Sequence, residues 1–201
     1  MIGYTTTGYT GAKPQPSYLA VMNVRTGATT RWTVPSNSVN SAIVSVSLTA
    51  NGGELCYPSQ ESPSVVRVIP TSAASGSAAD RGRTVAQFGG SEWVEFAAIT
   101  PDGKTVYFTT YPESSLEGWA GQVREVDLAT GRSRIVYAPA GLPGAVTADP
   151  LVRHLLLQIF GKAVSSTPHP PKLASLDLAT GKVLYLPNGW LGRILMTVIR
   201  W

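Results

Sequence analysis

The chain has 201 residues, 43% of them hydrophobic and 14% charged, with 20 Gly, 15 Pro and one Cys. That balance excludes disorder, which needs few apolar residues and high charge, and a lone Cys56 excludes an internal disulfide scaffold. Sixteen basic against twelve acidic residues leave a net charge of +4, but the bases are scattered. Their densest groups are only Arg81-Gly82-Arg83 and Arg132-Ser133-Arg134, so no nucleic-acid partner is expected. No apolar run approaches the roughly 18–20 residues of a membrane-spanning helix, and residues 1–7 lack the basic and apolar regions of a secretory leader.

No window of eleven or more residues keeps the i, i+3, i+4, i+7 apolar pattern, whereas Thr, Val, Ser and Gly are plentiful. The expectation is therefore short strands joined by tight turns, with very little helix. In chain order, with strands lettered A to D within each unit, the first unit offers B at 2–7, C at 18–24 and D at 29–34. The second has A at 40–49, B at 54–58, C at 64–70 and D at 83–88. Its C-to-D hairpin is replaced by the Ser/Ala/Gly-rich stretch 71–80, which reads as a flexible loop. The third has A at 94–100, B at 104–111, C at 121–129 and D at 132–138. The fourth has A at 143–149, B at 154–160, C at 172–178 and D at 182–187. A final apolar run at 194–199 is suited to supply the A strand missing from the first unit and so to close a ring.

These units repeat. Val123-Arg124-Glu125-Val126-Asp127-Leu128-Ala129-Thr130-Gly131 recurs fifty residues later as Leu173-Ala174-Ser175-Leu176-Asp177-Leu178-Ala179-Thr180-Gly181, and an earlier copy ends at Asn23-Val24-Arg25-Thr26-Gly27. Alternate apolar residues lie on one face of a strand, the Asp or Asn accepts backbone N–H groups two or three residues on, and the Gly supplies a positive φ. A second motif, Leu48-Thr49-Ala50-Asn51-Gly52, recurs as Ile99-Thr100-Pro101-Asp102-Gly103 and, without the Gly, as Val146-Thr147-Ala148-Asp149-Pro150. Both motifs are hairpin chemistry. Asp102, Asp127 and Asp177 are accordingly read as turn caps rather than as catalytic acids.

Antiparallel four-stranded units of this period are the signature of a β-propeller. The phrases Ile99-Thr100-Pro101-Asp102-Gly103-Lys104-Thr105-Val106-Tyr107-Phe108 and Val126-Asp127-Leu128-Ala129-Thr130-Gly131 resemble blades of bacterial TolB-like and related WD-repeat-like propellers. The Gly-His and Trp-Asp pairs of true WD repeats are absent. The resemblance implies an all-β fold, a β-propeller of four-stranded antiparallel blades. About four blades are present, closed by the C-terminal strand or forming part of a larger propeller of the six or seven blades usual in such families. The expected division is one domain over 1–201, with blade 1 at about 1–36 plus 190–200, blade 2 at 37–89, blade 3 at 90–140 and blade 4 at 141–188.

In such an architecture the D-to-A and B-to-C loops share one face, around the channel mouth, and the A-to-B and C-to-D turns share the other. His154 then falls on the turn face and His169 on the mouth face, which separates the two histidines and removes a two-His metal site. Cys56, in a strand between Leu55 and Tyr57, reads as a buried, inert thiol. No nucleophile elbow, Walker loop or dinucleotide fingerprint occurs, so no catalytic residues and no cofactor are assigned. The mouth loops instead mix aromatics with acids. Trp93, Glu95, Glu113, Glu117, Trp119, His169 and Trp190 are the candidate partner-binding residues, although each indole can alternatively pack between blades with its N–H bonded at the rim.

The leading expectation is a non-enzymatic binding or scaffold module for a protein or peptide. One alternative is a propeller enzyme of lactonase or lyase type, with a divalent metal held by carboxylates such as Glu95 and Glu113. Another is a truncated propeller without independent activity. The Ser/Thr/Gly-rich loops, low lysine content and TolB-like resemblance point to an extracytoplasmic location, through an anchor or signal upstream of Met1.

Overall fold

A computed structural model of the chain describes residues 1–6, 9–10, 13–14, 17–34, 45–59, 63–89, 92–112, 121–161 and 171–187. In chain order these form β1 (Ile2–Thr6), β2 (Tyr9–Thr10), β3 (Lys13–Pro14), β4 (Ser17–Met22), β5 (Thr29–Val34), β6 (Ser47–Leu48), β7 (Glu54–Ser59), β8 (Ser64–Pro70), β9 (Gly76–Ser77), the single helical turn α1 (Ala78–Arg81) and β10 (Arg83–Phe88). Then follow β11 (Glu92–Ile99), β12 (Thr105–Pro112), β13 (Gln122–Asp127), β14 (Ser133–Tyr137), β15 (Leu142–Ala148), β16 (His154–Phe160), β17 (Lys172–Asp177) and β18 (Val183–Tyr185).

Four four-stranded sheets result, in the orders β1-β4-β5-β9, β10-β8-β7-β6, β11-β12-β13-β14 and β15-β16-β17-β18, with β2 and β3 forming a separate small ribbon. The last three match the A-B-C-D order of the repeat. The first contains B, C and D. No A strand joins it among the described residues, and the apolar run at 194–199 lies outside them, as do positions 40–44 of the A strand expected at 40–49.

Burial follows from stacking the sheets face to face. On β16 alternate residues Leu155, Leu157 and Ile159 are buried and their neighbours half-buried, whereas Leu55 to Ser59 on β7 are all buried because neighbouring sheets cover both of its faces. Three apolar clusters fill the gaps. Leu19, Trp32, Leu55 and Ile69 lie between the first and second sheets. Cys56, Val68, Phe88, Val94 and Phe108 lie between the second and third, and Ala98, Tyr107, Leu155 and Leu157 between the third and fourth. β11, the edge strand of its sheet, is stitched to β6 and the segment leading into it: Ser45 Oγ accepts the Ala97 N–H at 3.1 Å and Ser47 Oγ the Ile99 N–H at 2.6 Å. Three repeated bonds tie each C-strand end to the A-to-B turn, from Thr71 N–H to Gly53 O, Leu128 N–H to Lys104 O and Leu178 N–H to Arg153 O, at 2.8–2.9 Å.

The stretch 71–80 differs from its expectation. Instead of a flexible loop it is an ordered strap that crosses to the first sheet, where β9 pairs parallel with β5 through Trp32↔Gly76 and Thr33↔Ser77. The Trp32 indole N–H donates to Ala74 O at 3.0 Å, Thr33 Oγ1 donates to Gly76 O at 3.1 Å, and Ala78 is fully buried. Small residues let the strap's backbone lie close against the edge strand, and backbone pairing needs no side-chain pattern.

Candidate functional site

The mouth end of the third sheet can be built from its register. Glu92 pairs with Pro112, Trp93 with Tyr111 and Val94 with Thr110, while Thr110 also opposes Gln122. The D-to-A connection into β11 and the B-to-C connection out of β12 therefore leave from one end, and the A-to-B and C-to-D turns from the other. The ladder then slips, and Ala97 opposes Phe108. Glu95 and Phe96 together face Thr109, a β-bulge of the kind that re-aims side chains beside functional sites. Thr109 Oγ1 accepts the freed Phe96 N–H at 3.3 Å.

The bulge has a sorting effect. Val94, Ala97 and Ile99 all point to the cluster against the second sheet, while Phe96 and Tyr107 pack on the side of the fourth. Trp93, its partner Tyr111 and Glu95 share that second side, and all three are half-buried. Burial raises the Glu95 pKa above its ordinary value. Burial, with the Glu95 charge added, pushes Tyr111 up to about 12. Among the described residues Glu95 has neither an ion pair nor a hydrogen bond.

Its neighbour Glu92 is fully engaged. Arg124 Nη2 lies 3.2 Å from Glu92 Oε1, Arg124 Nε donates to Gln122 Oε1 at 3.1 Å, and the guanidinium sits 5.4 Å from the centre of the Phe88 ring. Phe88 in turn packs tilted on Phe108 at 5.5 Å. Next to this, Gly121 allows close approach of the fourth sheet, since a Cβ there would collide with Pro143.

Of the sequence-predicted residues, Trp93 and Glu95 are thus brought together. Glu113, Glu117, Trp119, His169 and Trp190 lie outside the described residues. Sequence reasoning passed over Tyr111 as a site residue and missed Arg124 altogether. The signal for Arg124 was a cation at the strand-C position that Ala174 fills one repeat later, where Ala174 is fully buried.

On the turn face, the aspartates do what hairpin chemistry requires. Asp127 Oδ1 accepts Ala129 N–H at 3.0 Å and Thr130 N–H at 2.7 Å. Asp177 repeats this with Ala179 and Thr180 at 2.9 and 2.8 Å, and Gly131 and Gly181 follow at φ 70°. The Thr130 and Thr180 backbone and hydroxyl bonds hold both carboxyls below the usual range, and the Thr100 hydroxyl does the same for Asp102. His154 sits between two acids, with Nδ1 3.0 Å from Asp149 Oδ2 and Nε2 3.7 Å from Asp177 Oδ2. Among the described residues no three His, Cys, Asp or Glu converge as a metal site. Cys56 is fully buried and desolvation pushes its thiol pKa up, the condition of an inert thiol at neutral pH.

No protein-family model matches the chain, and no curated protein is detectably similar to it. Among solved structures it is similar to TolB from Acinetobacter baumannii, at 19% identity and TM-score 0.57, over 92% of this chain and 40% of that one. The chain has a β-propeller fold resembling that of TolB. It is also similar to the β-propeller domain of the Trilobed protease from Pyrococcus furiosus, described as having an open velcro topology, at 7% identity and TM-score 0.52, over 92% of this chain and 52% of that one. A third likeness is to oligogalacturonate lyase from Vibrio parahaemolyticus, at 9% identity and TM-score 0.51, over 85% and 55% of the two chains. The chain thus spans about half the length of these propellers or less. At such identities the likeness establishes the fold alone.

Proposed function

We propose that the chain is a propeller binding module and that the mouth end of its third sheet receives a protein or peptide. Trp93, Tyr111 and Glu95 form the centre of the contact, and Glu113, Glu117, Trp119, His169 and Trp190 are the expected extension in the loops of the same face. One observation carries the reading: a half-buried acid without a partner among the described residues stands beside a cross-strand pair of half-buried aromatics. Aromatic anchors on a rigid scaffold are what a recognition surface requires, and leaving a carboxylate half-desolvated and unpaired costs stability that a partner can restore.

Panning a displayed peptide library against the chain without counter-selection, and measuring the selected peptides on Trp93→Ala and Tyr111→Ala, tests this. The expectation is a set of binders whose affinity falls at least about tenfold in Trp93→Ala and Tyr111→Ala, the effect of losing a central aromatic anchor. Binders indifferent to both substitutions would refute the site. A thermal shift with calcium, magnesium, manganese or zinc that vanishes in Glu95→Gln would instead favour the metal-dependent lyase alternative, because a ligand specific for the native state must raise its stability.

A further inference from the structure

We infer that the partner presents a Lys or Arg side chain to Glu95, an inference that rests on the binding reading above. The chain contains its own template for such a contact on the other face of the same sheet. Arg124 lies over the Phe88 ring at 5.4 Å and reaches Glu92 at 3.2 Å, so aromatic, cation and carboxylate form a closed trio. Trp93, Tyr111 and Glu95 reproduce the aromatic and the carboxylate on the opposite side of the same sheet, without the cation. Trp93 and Tyr111 are direct cross-strand partners, and Glu95 follows Trp93 by two residues, on the same side of the strand.

Among the described residues the other charges at this end of the sheet are paired with one another. Glu92 is satisfied by Arg124, whose remaining capacity goes to Gln122. Across the junction the fourth sheet begins with Leu142-Pro143-Gly144, which carries no charge. No cation of the described residues pairs with Glu95, and a partner side chain with a long apolar stem and a charged head fits the place. Its stem would cover the ring faces and its head would meet both π-face and carboxylate.

The peptides selected by panning, re-synthesised with each Arg replaced by citrulline and each Lys by norleucine, decide the matter. At least one replacement should weaken binding to the native chain roughly tenfold to a hundredfold, the usual worth of a hydrogen bond to a charged group. The same replacement should cost nothing further in Glu95→Gln, an isosteric variant whose folding is checked by its thermal melt. Selected peptides that depend on Trp93 but show no basic residue coupled to Glu95 would overturn this inference while leaving the binding site in place. Peptides that ignore Trp93 as well would remove both.

Discussion

Two adjacent threonines on β12 allow the bulge to be tested with one substitution each way. Thr109 and Thr110 are both buried, at 0% and 1% exposure, yet their hydroxyls differ. Thr109 Oγ1 accepts the Phe96 N–H that the bulge takes out of the ladder, whereas Thr110 Oγ1 has no hydrogen-bond partner among the described residues. Thr109→Val leaves the Phe96 N–H without an acceptor. The cost of such an orphan is ~1–3 kcal/mol, and because Phe96 is only half-buried the lower half of that range applies. At ~2–4 °C per kcal/mol for a chain of this size, Tm should fall by roughly 2–8 °C. Thr110→Val removes a hydroxyl that folding desolvates without recompense and puts a methyl in its place. It should stabilise by about 1 kcal/mol, helped slightly by the strand preference of valine. Urea titrations with unchanged m-values would report both differences free of denatured-state effects. A Thr110→Val variant less stable than wild type, or a Thr109→Val variant without effect, would show that the hydrogen bonding at the bulge is not as described.

Glu95 yields a pH-dependent prediction. Because burial raises its pKa above 4.5, the folded chain binds that proton more tightly than the unfolded chain. Its contribution to stability is therefore fully present below pH 4.5 and is lost as pH rises through the folded value. Glu95→Gln should accordingly raise Tm at pH 7 and lose that advantage on acidification; an advantage that grows at low pH would contradict the assignment. Asp102, Asp127 and Asp177, held below 3.8, contribute in the opposite sense, and their stabilisation disappears in acid equally from both chains. The strap is tested by Trp32→Phe, which leaves the Ala74 carbonyl without its indole donor and should cost about 2 kcal/mol. Amide exchange at residues 74–78 should speed up more than exchange in β16. Unchanged protection there would mean that the indole does not hold the strap.

What the sequence revealed was decided by how local the chemistry is. The Asp/Asn-x-x-Thr-Gly and Thr-x-Asp/Asn-Gly turns are written in five and four residues, and they place Gly27, Gly52, Gly103, Gly131 and Gly181 at φ of 68–73°. The third copy of the A-to-B turn looked weak because it has no Gly, yet Asp149 and His154 close it in the same way, with Val152 forced to φ 55°. A β-branched residue there stores strain of about 1–2 kcal/mol, which propensity reasoning could not have anticipated. The strap was illegible for another reason. Its attachment consists of two parallel backbone pairs and one indole N–H, and none of these leaves a periodic trace in 71–80. At the site, Trp93 and Glu95 stood out by residue type. Tyr111 and Arg124 acquire meaning only from cross-strand register, which the bulge displaces.

The third and fourth sheets, compared position by position, separate fold from function. The bulge recurs, since Pro143 opposes Ile159 and Val146 opposes Leu157, so Gly144 and Ala145 stand where Glu95 and Phe96 stand one repeat earlier. Leu142 and Phe160 pair as Trp93 and Tyr111 do. The geometry is therefore common to both sheets and needs no functional explanation. The side chains are not common. In the fourth sheet the Phe160 ring occupies the space over Gly144, where an added Cβ would lie 2.5 Å from Phe160 Cε2, and the position is filled from within. In the third sheet the same position holds an acid that burial penalises. Folding demands only a bulge there, and Gly144 shows that a residue with no side chain satisfies it. A half-buried carboxylate placed on that bulge costs stability without improving the blade, so the reason for its presence has to be sought in what it contacts.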